Sequence, residues 1–189
     1  MAHLLGAENL GLEFPTRRVI DGVSLGLDEG DRVGVVGRNG DGKSTLMRLL
    51  AGRLEPDEGR VTRRRDVTVG FLDQADVLDP ERTVAAAVVG DVDEHEWAGD
   101  PRVRDVIDGL VADLPWDARI GTLSGGQRRR VALASLLVGE WDVLFLDEPT
   151  NHLDVEGVAW LAEHLKRRGA GGGGGRLGGP PPRGVLDEV

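Results

Sequence analysis

The chain has 189 residues, 40% of them apolar, enough for one domain with a packed core or for a domain plus a tail. A net charge of −10 argues against a general polyanion-binding surface, so no direct DNA binding is expected, and the absence of cysteine removes disulfides and thiolate metal sites. The opening residues MAHLLGAENL lack a basic segment followed by a long apolar run, and no stretch of about 18 uncharged apolar residues occurs. Neither a secretory signal nor a membrane span is expected, and the cysteine-free composition suits a reducing compartment; the expectation is a soluble, cytoplasmic protein.

From Leu4 to Asp28 the chain reads as two or three strands, with the alternation in VSLGL (Val23 to Leu27) fitting a half-buried antiparallel sheet. A short apolar run, Val33 to Val36, then meets a glycine-rich turn and an apolar-periodic helix candidate, Ser44 to Ala51. This strand, loop and helix carry GRNGDGKS, which matches G-x-x-x-x-G-K-[ST] through Gly37, Gly42, Lys43 and Ser44. Glycines let successive backbone N–H groups turn inward around a phosphate, and the helix N-terminus adds its positive dipole end. Only two of the 23 basic residues are lysine, Lys43 and Lys166. A compact ammonium on a flexible stem reaches β- and γ-phosphates as a point charge, where a planar guanidinium does not fit the same loop. Gly37, Asn39, Gly40, Gly42, Lys43, Ser44 and Thr45 are therefore the candidate nucleotide-binding residues, with Ser44 as a ligand to Mg²⁺.

A further core strand is read at Val67 to Phe71, and two modest helices at Thr83 to Val89 and Val103 to Leu114, within a segment bounded by Pro80 and Pro115. In TLSGGQRRRVALASLLVG, Ser124 is a fair N-cap, and Val131, Leu133, Ala134, Leu137 and Val138 give the next segment a helical apolar stripe. Two readings remain at this point: a second anion-seeking helix start, or a plain Ser-Gly-Gly turn into a core helix. Val143 to Leu146 runs into Asp147 and Glu148, as a buried parallel strand ending in two carboxylates. Beside a phosphate loop the first carboxylate serves Mg²⁺ and the second polarises the attacking water. Val155 to Arg168 reads as an amphipathic helix with Val158, Leu161, Ala162 and Leu165 on one face. The arginine clusters at 63–65 and 128–130 are expected to be solvated faces. His3, His95 and His164 have no ligand spacing, no zinc site is expected, and Trp97, Trp116, Trp141 and Trp160 are read as packing anchors.

Leu123 to Gln127 (LSGGQ), with the phosphate loop before it and LFLDEPTNHLD after it, resembles the ATP-binding cassette signature over roughly residues 2 to 168. The resemblance implies an α/β P-loop NTPase fold: a nucleotide-binding domain over 1–168 with an antiparallel β subdomain, a parallel core sheet and a small helical lobe at about 75–139. It implies ATP and Mg²⁺, and a site shared between two cassettes in which Ser124, Gly125, Gly126 and Gln127 reach the γ-phosphate held by the opposite one. The partner is a second cassette, as a homodimer or a tandem neighbour. Gln74 matches the glutamine that approaches Mg²⁺ and the attacking water, Glu148 the catalytic glutamate, Asp147 the metal-side carboxylate, and Asp154 the D-loop aspartate. His152 belongs to the family wording but is not the switch histidine. Phe14 stands where an aromatic ring often stacks on adenine, and core packing is an equal alternative.

The wording DEPTNHLD and the short stretch from Ala75 to Leu123 resemble the ABC-F branch, soluble tandem cassettes that act on ribosomes, some of them conferring antibiotic resistance. An ATP-binding subunit of a transporter, or a non-hydrolysing nucleotide-binding fragment, is the alternative. In such cassettes the helix after the D-loop leads into a buried strand and then a Ser/Thr-His-Asp segment. Here Gly169 to Gly184 (GAGGGGGRLGGPPPRG) stands there, and glycine with three prolines does not suit a central strand. That segment is read as a linker or as an out-of-frame stretch, with Val185 to Val189 restoring family-like sequence. The expectation is a truncated cassette that lacks both the strand and the switch histidine, leaves the Val143 to Leu146 strand with an open edge, and turns ATP over weakly.

Overall fold

The computed structural model describes residues 3–73, 78–169 and 184–188. It divides into two compact units, one formed by Met1–Phe71, Glu140–Glu148 and Arg167–Val189, the other by Leu72–Gly139 and Pro149–Lys166.

The first unit begins with two long strands, β1 (His3–Phe14) and β2 (Arg17–Asp28), joined by a tight turn at Pro15 and Thr16. With β4 (Glu58–Arg63) they form a three-stranded antiparallel sheet in the order β2-β1-β4. Strand β4 escapes the sequence pattern because it is a mostly charged segment, EGRVTR, with only Val61 turned partly inward. Backbone pairing to β1 holds it, and Arg63 to Arg65 remain exposed. Irregular register along β1 lets consecutive residues Leu4 and Leu5 both be buried, which strict alternation forbids.

The second sheet of this unit has the order β3-β7-β6-β5, with β3 at Asp31–Val35, β5 at Val69–Leu72, β6 at Val143–Leu146 and β7 at Gly184–Glu188. All four residues of β6 are buried, as its uninterrupted apolar run requires. Helix α1 (Lys43–Leu50) contributes Met47, Leu49 and Leu50 to a cluster that also holds Leu4, Leu10, Phe71, Val143 and Phe145. The rings of Phe71 and Phe145 lie 5.8 Å apart, and the Arg53 guanidinium sits 4.4 Å from the Phe71 ring centroid.

Two boundaries shift from the sequence reading. β3 stops at Val35 and leaves Val36 79% exposed, because the chain departs from the ladder to form the loop. β5 starts at Val69, since Asp66 turns the backbone at φ 67° and the Val67 amide reaches back to the Arg64 carbonyl. The larger correction concerns the strand inferred to be missing. β7 pairs in parallel with β3 on one side (Val33 with Leu186) and with β6 on the other (Phe145 with Leu186). The edge of Val143–Leu146 is thus covered. Only Gly184 of the Gly/Pro stretch enters the ladder, at its first position, where a glycine costs least; residues 170–183 lie outside the described residues.

The second unit contains α2 (Val84–Val89), α3 (Glu94–Trp97), α4 (Pro101–Leu110), a 3-10 turn (Ile120–Thr122), α5 (Gly125–Val138) and α6 (Val155–Gly169). Helix α4 starts earlier than the apolar pattern indicates because Pro101 occupies its first turn and Asp100 accepts from the Arg102 amide. It ends at Leu110, where Val111 leaves helical geometry at φ −135°. Short α3 is held by a reciprocal capping box between Asp93 and Glu96. Together with His95 these two carboxylates form an exposed group within 4.8 Å, and the box accounts for both of them.

The apolar face of α6 is also rotated from expectation. Leu161 and Leu165 are buried, but Val158 and Ala162 are exposed, and His164 is buried in their stead. His164 stacks on Trp160 and places Nδ1 2.9 Å from Asp105 Oδ2, a partner that periodicity cannot reveal. The arginine cluster at 128–130 is likewise not a solvated face. Arg129 is buried and donates to the Asp73 carbonyl, and Arg130 pairs with Asp113 at 2.6 Å. Arg129 lies four residues before buried Leu133, which puts it on the inner face of α5. No helix among the described residues is long and apolar enough to cross a membrane.

Candidate nucleotide-binding site

The loop between β3 and α1 turns on Gly40 (φ 89°) and Gly42 (φ 97°), conformations that side-chain-bearing residues adopt at a cost. Gly42 has a second constraint: a Cβ there would stand 2.6 Å from Val19 Cγ1 and 3.1 Å from the Val19 carbonyl oxygen. Loop and strand β2 are therefore in backbone contact. The turn is closed internally by the Asp41 amide donating to the Arg38 carbonyl at 3.0 Å and the Arg38 amide donating to Asp41 Oδ2 at 2.8 Å. No side chain caps α1, whose N-cap is Gly42. The first amides of this helix thus face the loop with its positive dipole end, the arrangement an anion needs.

Lys43, the first residue of α1, is buried, and its Nζ donates to the Gly37 carbonyl at 2.7 Å and the Arg38 carbonyl at 3.2 Å. The ammonium thus lies across the loop that the amides line. Ser44 follows, and its hydroxyl donates to Asp147 Oδ1 at 3.0 Å, bridging 103 positions of sequence. Asp147 is fully buried at the end of β6. A hydroxyl and a carboxylate converging at the phosphate end of the loop are hard oxygen donors of the kind Mg²⁺ prefers, so the residues present fit that ion. Glu148, half-buried, follows at φ 49°, a left-handed backbone for a non-glycine residue that costs on the order of 1–3 kcal/mol. Gln74 lies outside the described residues. Phe14 closes β1 with 44% of its surface exposed, so it is not a core residue.

In the second unit, Ser124 caps α5 in a reciprocal box: its Oγ accepts from the Gln127 amide at 3.2 Å, and Gln127 Oε1 accepts from the Ser124 amide at 2.9 Å. Ser124 and Gly125 are exposed, and Gly126 packs near His152, a non-glycine residue at φ 66°. Asp154 precedes α6 and accepts from the Gly157 amide at 2.8 Å, which makes it the cap of that helix. Arg130 is held above its ordinary pKa by its hydrogen bond to Asp113, with a smaller contribution from the charge of Asp154. The structure brings Gly37, Asn39, Gly40, Gly42, Lys43, Ser44, Thr45, Asp147 and Glu148 to one end of the first unit, and Ser124 to Gln127 with Asp154 into the second.

A strand, a glycine loop, a helix opening on lysine and serine, and a carboxylate at the end of a buried strand of the same sheet define a P-loop nucleotide site. The family model described as ABC transporter matches residues 20–151, and the chain belongs to that family. It is 39% identical to the energy-dependent translational throttle protein EttA of Escherichia coli over an aligned 189 residues, covering 80% of this chain and 34% of that protein. It is 38% identical to the tylosin resistance ATP-binding protein TlrC of Streptomyces fradiae, over 80% of this chain and 35% of that one. The chain spans about a third of the length of these curated relatives. Among solved structures, an ATP-binding subunit of an ABC transporter superposes with a TM-score of 0.76 at 21% identity, covering 98% of this chain and 79% of that one. A chain titled RNase-L Inhibitor superposes with a TM-score of 0.78 at 26% identity, covering 99% of this chain and 34% of that one.

Proposed function

We propose that the chain is an ABC-F-type ATPase cassette that binds Mg-ATP at Gly37 to Thr45 and hydrolyses it. The observation that carries this reading is the 3.0 Å contact between Ser44 Oγ and Asp147 Oδ1, which joins the phosphate loop to the carboxylate of a strand about a hundred residues away. Loop amides and Lys43 receive the β- and γ-phosphates, Lys43 exchanging its carbonyl acceptors for phosphate oxygens. Ser44, Asp147 and Gln74 would hold Mg²⁺, which would offset charge on the phosphate oxygens. Glu148 orients a water and accepts its proton as the water oxygen bonds to the γ-phosphorus and the β,γ-bridging oxygen leaves with ADP. Phe14 stacks on the adenine.

Ser124, Gly125, Gly126 and Gln127 complete the nucleotide site of a second cassette, supplied by another copy or by a tandem neighbour, and Asp154 orders the adjoining α6. The DEPTNHLD wording and the identity with EttA and TlrC support the ABC-F reading over a transporter subunit, and with it a cytoplasmic protein whose partner is the ribosome. Calorimetric titration with Mg-ATP tests the binding and Glu148-dependent phosphate release tests the hydrolysis. Binding that survives Lys43→Ala unchanged overturns the site, and phosphate release that survives Glu148→Gln unchanged overturns the hydrolytic role.

A further inference from the structure

Resting on that nucleotide site, we infer that Arg17 is a positioning residue for ATP: it fastens the apex of the phosphate loop to the hairpin end that carries Phe14, so that base site and phosphate cradle are set as one unit. The guanidinium of Arg17 donates to the carbonyl of Gly40. That carbonyl belongs to the peptide whose other side, the Asp41 amide, is held by the Arg38 carbonyl. The left-handed Gly40 at the loop's tip is thereby tied from both sides, from within the loop and from β2.

Strand geometry makes the tie selective. Arg17 and Val19 both meet the loop, Arg17 at Gly40 and Val19 as the residue against which Gly42 packs. Phe14 and Arg17 are direct antiparallel partners at the end of the hairpin, so their side chains leave the sheet on the same side. The neighbouring Arg18 is engaged instead with Asp21 at 2.7 Å and Glu58 at 2.8 Å. Arg17 itself is exposed, so shortening it opens no core. An aromatic ring for the base, a guanidinium on the loop apex and a valine under Gly42 therefore come from one hairpin end, and displacement of that end moves all three.

The test is Mg-ATP affinity by calorimetry on the full 189-residue chain for wild type, Arg17→Ala, Arg17→Gln, Arg17→Lys, Phe14→Ala and the Arg17→Ala/Phe14→Ala double variant, with thermal unfolding of each ligand-free protein. Arg17→Ala and Arg17→Gln are expected to weaken ATP about tenfold, the loss associated with a charge-assisted hydrogen bond, and Arg17→Lys to recover most of it. The double variant is expected to be little weaker than the worse single one, the mark of coupled sites. Ligand-free unfolding midpoints are expected to match wild type. Wild-type affinity in Arg17→Ala and Arg17→Gln, losses that multiply in the double variant, or a lowered ligand-free midpoint that accounts for the loss would each overturn the inference. Lys43→Ala run alongside separates the two claims: if it weakens ATP while the Arg17 variants do not, only the role of Arg17 fails, and if it binds as wild type, the nucleotide site itself fails.

Discussion

Helices α1 and α5 both begin with glycines, yet their starts are built in opposite ways. At α1 the N-cap is a left-handed Gly42 with no capping side chain, and the loop before it is folded back so that Lys43 and the first amides address the same space. At α5 the Ser124 and Gln127 amides are served by the chain's own side chains, in a reciprocal box between these two residues. One helix start is left without a side-chain cap and the other is capped by its own residues. In the proposed reading the α1 end is the primary phosphate site, while the α5 end keeps a stable shape that a phosphate on a second cassette would approach at Ser124 and Gly125.

The largest expected effect belongs to the α1 end. Glu148→Gln keeps the shape and removes the base, so phosphate release should fall about 10³-fold while Mg-ATP affinity stays within about threefold. Lys43→Ala should act on affinity instead, weakening Mg-ATP about 10²-fold in calorimetry, because charge-assisted contacts to phosphate are lost. Ser124→Ala sharpens the contrast. It should cost about 1 kcal/mol in urea unfolding, the usual worth of a cap, and leave ATP binding by the single chain unaltered. Equal effects of Ser124→Ala and Lys43→Ala on ATP affinity would break the distinction between the two helix starts.

The smallest effect is expected at Asp113, beside α5. Its hydrogen bond from Arg130 holds the carboxyl below its ordinary pKa. A carboxyl depressed on folding adds stability that is present above its unfolded value, near 4, and is lost as pH falls through the folded value. Asp113→Asn should therefore cost about 0.5 kcal/mol at neutral pH, as for a solvent-screened pair, and the difference from wild type should vanish in acid. Denaturant midpoints at pH 7 and pH 3 measure both.

Sequence and structure agree where one local interaction decides the outcome. Four apolar residues between Asp142 and Asp147 leave β6 no other placement, and the glycine-lysine-serine spacing places the loop. Agreement fails where partners distant in sequence decide. β4 is charged and exposed, held by pairing with β1. His164, with no ligand spacing, reads as an ordinary surface or lobe histidine, yet it is buried against Asp105 and Trp160. Arg17 carries no signal in a chain whose basic residues are almost all arginine, and its contact with Gly40 follows from how the hairpin meets the loop. β7 is the instructive error. Composition argued correctly that glycine and proline make a poor central strand, but the ladder asks for only five residues, and Gly184–Glu188 places its glycine at the end.

The pairing of Ser44 with Asp147 is the point on which the account depends most, and the Mg²⁺ dependence of nucleotide affinity tests it directly. ATP affinity of wild type and Asp147→Asn should be measured by calorimetry with excess Mg²⁺ and again with the metal chelated, on proteins with matched unfolding midpoints. The account predicts that chelation weakens wild-type binding about tenfold or more and barely changes Asp147→Asn, because the variant has already lost the carboxylate that holds the ion. Equal Mg²⁺ dependence in the two proteins would contradict it, and would place the metal on other residues.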